Sequence, residues 1–338
     1  MERDQNELQF LGFLGVYRET SKIILKWRKI FAQITLALIL PLCVIFLAHS
    51  FNIFDHEITR NDVWVDDPKY RNLSRKLKKE WVAFWLVRLG YFILHFIFSL
   101  HFIFIFISSL HSTSAVVSTV ACVYAAKQVT FKKIMSVVPR VWKRLMVTFF
   151  WSFGIFFVYN AVAVGLLIAW LVIVRKYSVG PALGIAVAVI LLILYVIGFV
   201  YITMIWQLAS VISVLEDAYG RKAMVKSKRL IKGKMGLSIW CFLGVLVCAM
   251  LVQALFECFV VLNFVPTGIK IGVGLICLLL LLMVVLFDLV AQTVIYFVCK
   301  SYHHENIDNS SLPDHLEVNL GDCPTEGQKP VLLEQLHA

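Results

Sequence analysis

Residues 177–215 read YSVGPALGIAVAVILLILYVIGFVYITMIWQLASVISVL and contain no charged side chain over 39 positions. A helix needs roughly 20 apolar residues to cross about 30 Å of hydrocarbon. Further uncharged runs occupy residues 30–54, 89–126 and 145–174, and shorter ones occupy 235–256 and 271–287. This pattern predicts an all-α helical bundle that is embedded in a membrane.

The composition of the whole chain agrees with this prediction. Of 338 residues, 60% are apolar and 16% are charged, whereas soluble domains have about 45–50% apolar and about 25% charged residues. One or two water-soluble globular domains are therefore excluded. The first 29 residues carry charges throughout and lack the apolar core of a cleavable signal peptide, so we expect the first span to direct insertion.

Six transmembrane helices fit the apolar runs best, and the predicted fold is a polytopic integral membrane bundle. Gly180-Pro181 and Pro266-Thr267-Gly268 interrupt the apolar sequence and predict two tight helical hairpins. The chain divides into a cytoplasmic N-terminal amphipathic segment (1–29), a six-span domain (30–299) and a flexible cytoplasmic tail (300–338). The spans are predicted at 30–49, 84–110, 145–174, 182–208, 237–262 and 272–299.

Lys and Arg are distributed unevenly between the two sides of this bundle. The net charge is +11, and 21 of the 32 basic residues fall on the side that holds both termini. Because cytoplasmic loops are enriched in basic residues, both termini are predicted to be cytoplasmic. A glycosylation sequon at Asn72 would then be usable on the opposite side, whereas a glycan at Asn309 in the tail would contradict this orientation.

Ionisable side chains inside the predicted spans are candidates for a functional site, because burying them in hydrocarbon is costly. His101 and Asp288 lie at matched depths, with Gln292 one turn after Asp288, and would form a proton-linked or cation-binding pair. Arg88 and Glu257 lie near the same outer interface and would pair there. The alternative is structural, with these groups joining helices by hydrogen bonds or reaching towards the interface. Two further polar residues in the spans are Gln207 and Gln253.

Two basic loops between spans are predicted to face anionic lipid headgroups. Each forms a short basic amphipathic helix, and each Lys or Arg near such headgroups contributes about 1 kcal/mol. The alternative, that the loops only set the topology, stays open. A nucleic-acid partner is not expected, because neither loop has an aromatic platform. The basic residues concerned are Lys127, Lys132 and Lys133 in the first loop and Arg221, Lys222, Lys226, Lys228 and Arg229 in the second.

The segment before the first span is also amphipathic. Leu11, Leu14 and Tyr17 would share an apolar face, with Arg18 and Lys22 elsewhere on the helix. Such a pattern is typical of a helix that lies in the membrane interface.

Catalytic and metal-binding motifs are missing from the sequence. It contains no H-E-x-x-H, G-x-S-x-G, P-loop or dinucleotide fingerprint, and its eight cysteines show none of the spacings typical of zinc or redox sites. His303-His304-Glu305 stands alone, and adjacent histidines point to different faces of a helix. We therefore expect no enzymatic activity, no metal and no other cofactor.

The segment 214–234 reads VLEDAYGRKAMVKSKRLIKGK. It resembles the signature of the bacterial membrane domains associated with glycerophosphodiester phosphodiesterases. The matching residues are Glu216, Ala223, Ser227, Leu230 and Gly233. The chain as a whole, including FLGVYRE at 13–19, WRKIFAQ at 27–33 and KSYHHEN at 300–306, resembles a plant family of uncharacterised six-span proteins.

The resemblance carries two implications. In the phosphodiesterase family the catalytic barrel is a separate domain, so the resemblance implies a membrane fold without hydrolase activity. It also implies a structural role for Glu216 near the start of the loop helix, as a cap or as a partner of Lys222 or Arg229, with a modest gain of about 0.3–1 kcal/mol.

These features favour a non-enzymatic scaffold or regulator whose basic cytoplasmic loops face anionic lipids. The alternative is a transporter or channel for a small solute or lipid that uses His101 and Asp288. Membrane lipids are the expected partners, with protein partners through the cytoplasmic loops and tail. We expect the protein in the endomembrane system, with the endoplasmic reticulum favoured over the plasma membrane.

Overall fold

The computed structural model describes residues 11–48, 107–124, 130–176, 181–261 and 266–303. Every regular element in these ranges is helical and none is a strand, which confirms the predicted all-α fold. Five of the described helices are long and apolar enough to cross a membrane. They coincide with the predicted first, third, fourth, fifth and sixth spans. The predicted second span lies outside the described residues except for its last four positions, 107–110.

The helices are numbered here in chain order. The first two are α1 (Phe13–Lys26) and α2 (Arg28–Ala48), and α2 contains a π-helical turn at Thr35–Ile39. A helix over 107–124 is α3. The remaining helices are α4 (Phe131–Lys176), α5 (Pro181–Leu215), α6 (Arg221–Leu230), α7 (Met235–Phe256, followed by a π-helical turn at Glu257–Val261) and α8 (Thr267–Tyr302).

The two predicted helix breakers lie at the starts of α5 and α8. Pro181 is the first residue of α5, and Pro266 precedes α8 in an extended conformation with φ −56° and ψ 148°. The helices α4 and α5 pack against each other along their length. In this hairpin the Tyr159 hydroxyl donates to the Tyr195 carbonyl at 2.8 Å, and the two rings stack at 5.6 Å.

The first basic loop differs from the prediction. It does not form a separate helix, because α4 begins at Phe131 and continues through the basic segment into the apolar one. Between Phe131 and Gly154 the sequence contains no glycine, and Pro139 lies inside the helix without ending it. At 1.5 Å per residue the 46 residues of α4 extend over about 69 Å, more than twice the hydrocarbon thickness. The basic part of α4 therefore extends beyond the apolar layer.

The amphipathic helix predicted before the first span is present as α1, and one of its faces packs against the bundle. Val16, Thr20 and Ile23 are buried, whereas Leu14 is 78% exposed. The three buried positions follow the spacing of one helix face. Leu14 belongs to the predicted apolar face, and its exposure is compatible with a helix that turns this face to the membrane interface.

The best-packed part of the bundle lies at one end, which we call the basic end. Here the start of α4, the end of α5, α6 and the end of α8 converge, and side chains such as Leu145, Ile212, Leu230 and Tyr296 are almost fully buried. Away from this end, α4 and α5 expose large apolar side chains, including Phe157 at 67%. An exterior made of many exposed apolar side chains is suited to contact with lipid.

Candidate functional site

The helix α6 separates its residues into an inward and an outward face. Ala223, Met224, Ser227 and Leu230 are buried against the bundle. The four outward basic residues are Arg221, Lys222, Lys228 and Arg229, and all four are exposed. The predicted amphipathic helix in the second basic loop is therefore confirmed, and we call these four side chains the outward basic face.

The start of α6 is fixed by Gly220. This residue has φ +61° and ψ −131°, a conformation that essentially only glycine adopts. Its N–H donates to the Thr148 Oγ1 at 2.8 Å, and that oxygen lies 2.6 Å from the Ser213 Oγ. A Cβ at this position would also meet Val147 and Trp151 at 3.1 Å. Two spans, α4 and α5, thus determine where α6 begins.

The middle of α6 is bound directly to α5. The Ser227 hydroxyl donates to the Ile205 carbonyl at 2.8 Å, inside α5. Ala223, one turn earlier, is completely buried. Small residues one turn apart let two helices approach closely, so this pair fixes the distance between α6 and α5.

A partly buried ionic cluster joins α6 to α8 through Glu216. The Lys226 Nζ lies 2.7 Å from the Glu216 Oε2, and the Lys300 Nζ lies 3.4 Å from the Oε1. The Tyr296 hydroxyl donates to the same Oε1 at 2.6 Å. The side chain of Glu216 is only 15% exposed and that of Lys300 only 12%. The cluster therefore connects the end of α5, the middle of α6 and the last turns of α8.

The structural role expected for Glu216 is present, but its partner is different. The sequence pointed to Lys222 or Arg229, and both of these lie on the outward face. Lys226 lies on the inward flank instead and makes the ion pair. Lys226 is consequently the one residue of the second basic loop, among those predicted to face headgroups, whose charge is directed into the protein.

The electrostatics of this cluster favour the charged form of Glu216. Burial raises the pKa of its carboxyl group, but the hydrogen bonds from Lys226 and Tyr296 and the charges of Lys226 and Lys300 outweigh burial. The net result is a pKa below the ordinary value of 4.5. The cluster is thus an ion pair over the physiological pH range.

The end of α6 is held by His303. Its Nε2 lies 3.1 Å from the Leu230 carbonyl and 2.9 Å from the Lys232 carbonyl, which places a donated N–H between two acceptors. The turn that follows contains Gly233 at φ +93°, against the Tyr302 ring. Both ends of α6 are therefore bounded by a glycine of positive φ. The other members of the predicted His-His-Glu group, at 304 and 305, lie outside the described residues.

The first basic loop contributes less to this surface. Lys132 is exposed in the first turn of α4 and Lys133 is partly buried, whereas Lys127 lies outside the described residues. Farther along α4, Arg144 forms an ion pair with Asp217 at 2.5 Å. Both side chains of that pair are more than one third exposed, so it contributes at most about 1 kcal/mol.

Of the predicted intramembrane polar site, the structure describes Asp288 and Gln292. The Gln292 Nε2 donates to the Asp288 Oδ2 at 2.5 Å, and both side chains line a cavity of about 20 Å³ between α5, α7 and α8. Gln207 and Ser238 line the same cavity. His101, the expected partner of Asp288, lies outside the described residues.

For the predicted interface pair, the structure describes Glu257 only. Its Oε1 accepts a hydrogen bond from the Gln253 Nε2 at 2.7 Å, one turn earlier on α7. Arg88 lies outside the described residues, and so does the sequon at Asn72.

Some polar residues at the cavity are missed by the sequence analysis. Ser238 is one of them, because a single hydroxyl in an apolar run carries no distinguishing signal. A contact of Tyr17 is also missed: its hydroxyl donates to the Cys241 carbonyl at 3.0 Å, and Cys241 lines the cavity. Only a pattern linking α1 to α7, which are more than 200 positions apart in the sequence, could have found this contact.

Within the described part of the chain, no group of three His, Cys, Asp or Glu side chains is placed to hold a metal ion. The seven cysteines in these ranges are free thiols.

The fold and the apolar helices define a membrane-embedded all-α protein. The chain belongs to the family described as "Domain of unknown function (DUF8558)", whose model matches residues 1–336. A comparison with curated proteins gave no match, and neither did a comparison with solved structures.

Proposed function

We propose that this protein is a non-enzymatic, multi-pass scaffold or regulator of an endomembrane, and that it binds anionic lipid headgroups through α6. The observation that carries this proposal is the fixed orientation of α6. Its inward face is held by three spans, and its outward basic face is exposed at the basic end of the bundle. A charged surface of this kind matches the phosphate groups of anionic lipids.

The arrangement favours binding because the helix is already ordered. Each Lys or Arg close to an anionic surface contributes about 1 kcal/mol, and side chains on a preformed helix lose little further freedom on binding. Tyr219 and Val225 are exposed beside these charges. Tyrosine is enriched where headgroups meet hydrocarbon, so this part of the surface supports contact with lipid more than contact with water.

The charge distribution supports a cytoplasmic position for the basic end. That orientation places both termini in the cytoplasm and gives α6 access to the leaflet that carries most anionic lipid. Protein partners would then meet the same face through the loops and the tail.

The experiment compares lipid enrichment around two charge-reversal variants in proteoliposomes that contain phosphatidylcholine and labelled phosphatidylserine. Lys228→Glu/Arg229→Glu reverses two charges on the outward basic face. Arg175→Glu/Lys176→Glu reverses two adjacent exposed charges at the opposite end of α4 and is the matched control. Energy transfer from a label in α6 should report enrichment of phosphatidylserine in the wild type and the control, and its loss in the α6 variant.

The salt dependence of this signal gives a second test. Enrichment should fall as ionic strength rises, because screening shortens the reach of surface charges to about 8 Å at 0.15 M. Unchanged enrichment around the α6 variant, or an equal loss in both variants, would contradict the proposal.

The transporter alternative has less support. The cavity at Asp288 measures about 20 Å³, which is room for about one water molecule. Among the described residues, this space is small for an organic solute or a lipid.

A further inference from the structure

The chain leaves the bundle directly beside α6. The helix α8 ends at Tyr302. The Nε2 of the next residue, His303, lies 2.9 Å from the Lys232 carbonyl and 3.1 Å from the Leu230 carbonyl. The Lys234 Nζ lies over the Tyr302 ring, 5.1 Å from its centroid. The segment that follows His303 therefore starts within contact distance of the end of α6.

This segment is acidic. Residues 304–328, which we call the acidic segment, contain six Asp and Glu side chains and no Lys or Arg. They lie outside the described residues, and their sequence defines their charge. Four of the six carboxylates come before residue 318, at Glu305, Asp308, Asp314 and Glu317. A concentration of negative charge thus begins a few residues from the basic helix.

The outward basic face of α6 carries positive charge without a described counter-charge. None of its four side chains forms an ion pair with an acidic residue in the described part of the chain. Asp217, the nearest acidic residue in the sequence, pairs with Arg144. Glu216 pairs with Lys226 on the inward flank of α6. Lys232, in the turn after α6, is exposed as well and extends the basic surface towards His303.

The reach of the acidic segment matches the length of α6. The ten residues Arg221–Leu230 extend over about 15 Å. Asp308 lies five residues after His303 and, at full extension, reaches about 17 Å from it. Carboxylates anchored at the end of α6 thus have access to the whole outward basic face. Because tethering keeps a flexible segment at a millimolar effective concentration near its anchor, such a contact forms without a high intrinsic affinity.

From these observations we infer that the acidic segment docks on the outward basic face of α6 and competes there with anionic lipid. The competition rests on the lipid binding proposed above, whereas the contact between the segment and α6 does not depend on it. On a membrane poor in anionic lipid the segment covers α6, and on an anionic membrane the lipid phosphates displace it. The contact would thus make α6 responsive to lipid composition.

The first test is carbodiimide cross-linking of the full-length protein in proteoliposomes of pure phosphatidylcholine, with the products mapped by mass spectrometry. The reagent joins a carboxylate to a lysine amine that is in contact with it. Cross-links from the acidic segment to Lys222 and Lys228 are expected. Lys176, at the opposite end of α4, is the internal control and should form none with this segment. Anionic lipid is left out, so this test does not depend on lipid binding.

Charge reversal on both sides identifies the contact as electrostatic. Lys228→Glu/Arg229→Glu should reduce the cross-links to Lys222 severalfold, because two positive charges next to the segment become negative. Adding Glu305→Lys/Asp308→Lys should restore the contact, since opposite charges then face each other again. The restored contact should give cross-links between the introduced carboxylates and the introduced amines.

The second test is a titration with labelled phosphatidylserine, read by energy transfer from the label in α6. Glu305→Gln/Asp308→Asn/Asp314→Asn should reach half-maximal enrichment at about half the phosphatidylserine fraction that the wild type needs, the shift expected if the segment covers α6 in half of the molecules. Asn306→Gln/Ser310→Ala is the matched control, because it keeps every charge of the segment. In the wild type, cross-links to α6 should decline over the same titration.

The two tests separate the failure of docking from the failure of lipid binding. Docking is refuted by the absence of cross-links to α6 in phosphatidylcholine, or by cross-links to Lys22, Lys26 or Lys29 in their place. Cross-links to α6 that charge reversal leaves unchanged would contradict an electrostatic contact. Equal phosphatidylserine titrations of the wild type and the neutralised variant would overturn the competition. A lack of phosphatidylserine enrichment in every variant, with the cross-links intact, would contradict the lipid-binding proposal and the competition, while docking would stand.

Discussion

The Nζ of Lys226 lies 2.7 Å from the Oε2 of Glu216, and this ion pair joins the basic helix α6 to the end of α5. Both side chains are mostly buried, and Glu216 also binds Tyr296 and Lys300 on α8. A surface helix is thereby tied to two spans through one carboxylate.

Glu216→Gln should destabilise the protein by about 3 kcal/mol. The substitution leaves the partly buried ammonium groups of Lys226 and Lys300 without their counter-charge, and removing one partner of an ion pair that is largely shielded from water is strongly unfavourable. Urea or thermal unfolding in detergent measures the change. Asp217→Asn is the neighbouring control, and it should cost less than about 1 kcal/mol because the pair with Arg144 is exposed. Equal effects of the two substitutions would refute the role of Glu216.

The stability that Glu216 provides should be lost in acid. Its pKa is lowered in the folded state below the ordinary value of 4.5, so the unfolded state binds the proton more readily. The contribution is therefore fully present above about pH 5 and declines as the pH falls through the folded-state pKa. Melting temperatures of the wild type and Glu216→Gln, measured from pH 7 to pH 3.5, should converge below pH 4.5. A constant difference over this range would show that Glu216 does not titrate as expected.

Gly220→Ala should destabilise the start of α6 by about 1–3 kcal/mol. The backbone conformation at φ +61° is strained for any residue with a Cβ, and the added methyl group meets Val147 and Trp151. Hydrogen–deuterium exchange should show faster exchange in α6. Gly236→Ala is the control, because this glycine lies inside α7 with open space around it. The control should be neutral or slightly stabilising, and a loss of stability there would point to a general intolerance of alanine.

Ser227→Ala should cost about 1 kcal/mol and loosen α6 from α5. The change removes the hydrogen bond to the Ile205 carbonyl but keeps the small volume that close packing requires. Exchange of amide hydrogens in α6 should accelerate, while exchange in α4 away from the contact stays the same. A variant with unaltered exchange in α6 would mean that Ser227 does not hold the helix in place.

Part of the attachment of α6 to the bundle could be predicted from the sequence. The contacts that could not be predicted have a physical reason. The amphipathic helix α6 follows from the alternation of basic and apolar residues between Gly220 and Gly233. The partners of Glu216 do not, because Tyr296 and Lys300 lie 80 and 84 positions away along the chain. Sequence proximity favoured Lys222 and Arg229, whereas the register of α6 turned Lys226 towards the bundle.

At the other sites, too, the sequence shows contacts within one helix but not contacts between distant helices. The amide partner of Asp288 was visible as Gln292, one helical turn away, but the hydroxyl of Ser238 was not, since it arrives from another helix. The first basic loop was expected to form its own helix. It is continuous with α4 because no glycine marks an end there, in contrast to the two glycines around α6.

The separation of α6 into two faces also bears on how the family can diversify. The residues that position the helix, such as Glu216, Ala223 and Ser227, are distinct from the residues that face outwards. Substitutions on the outward basic face change the charge offered to a membrane without disturbing a single contact that holds the fold. Relatives that keep these inward residues can therefore change their lipid specificity through a few substitutions on the outward basic face. New specificity can thus evolve most readily in α6.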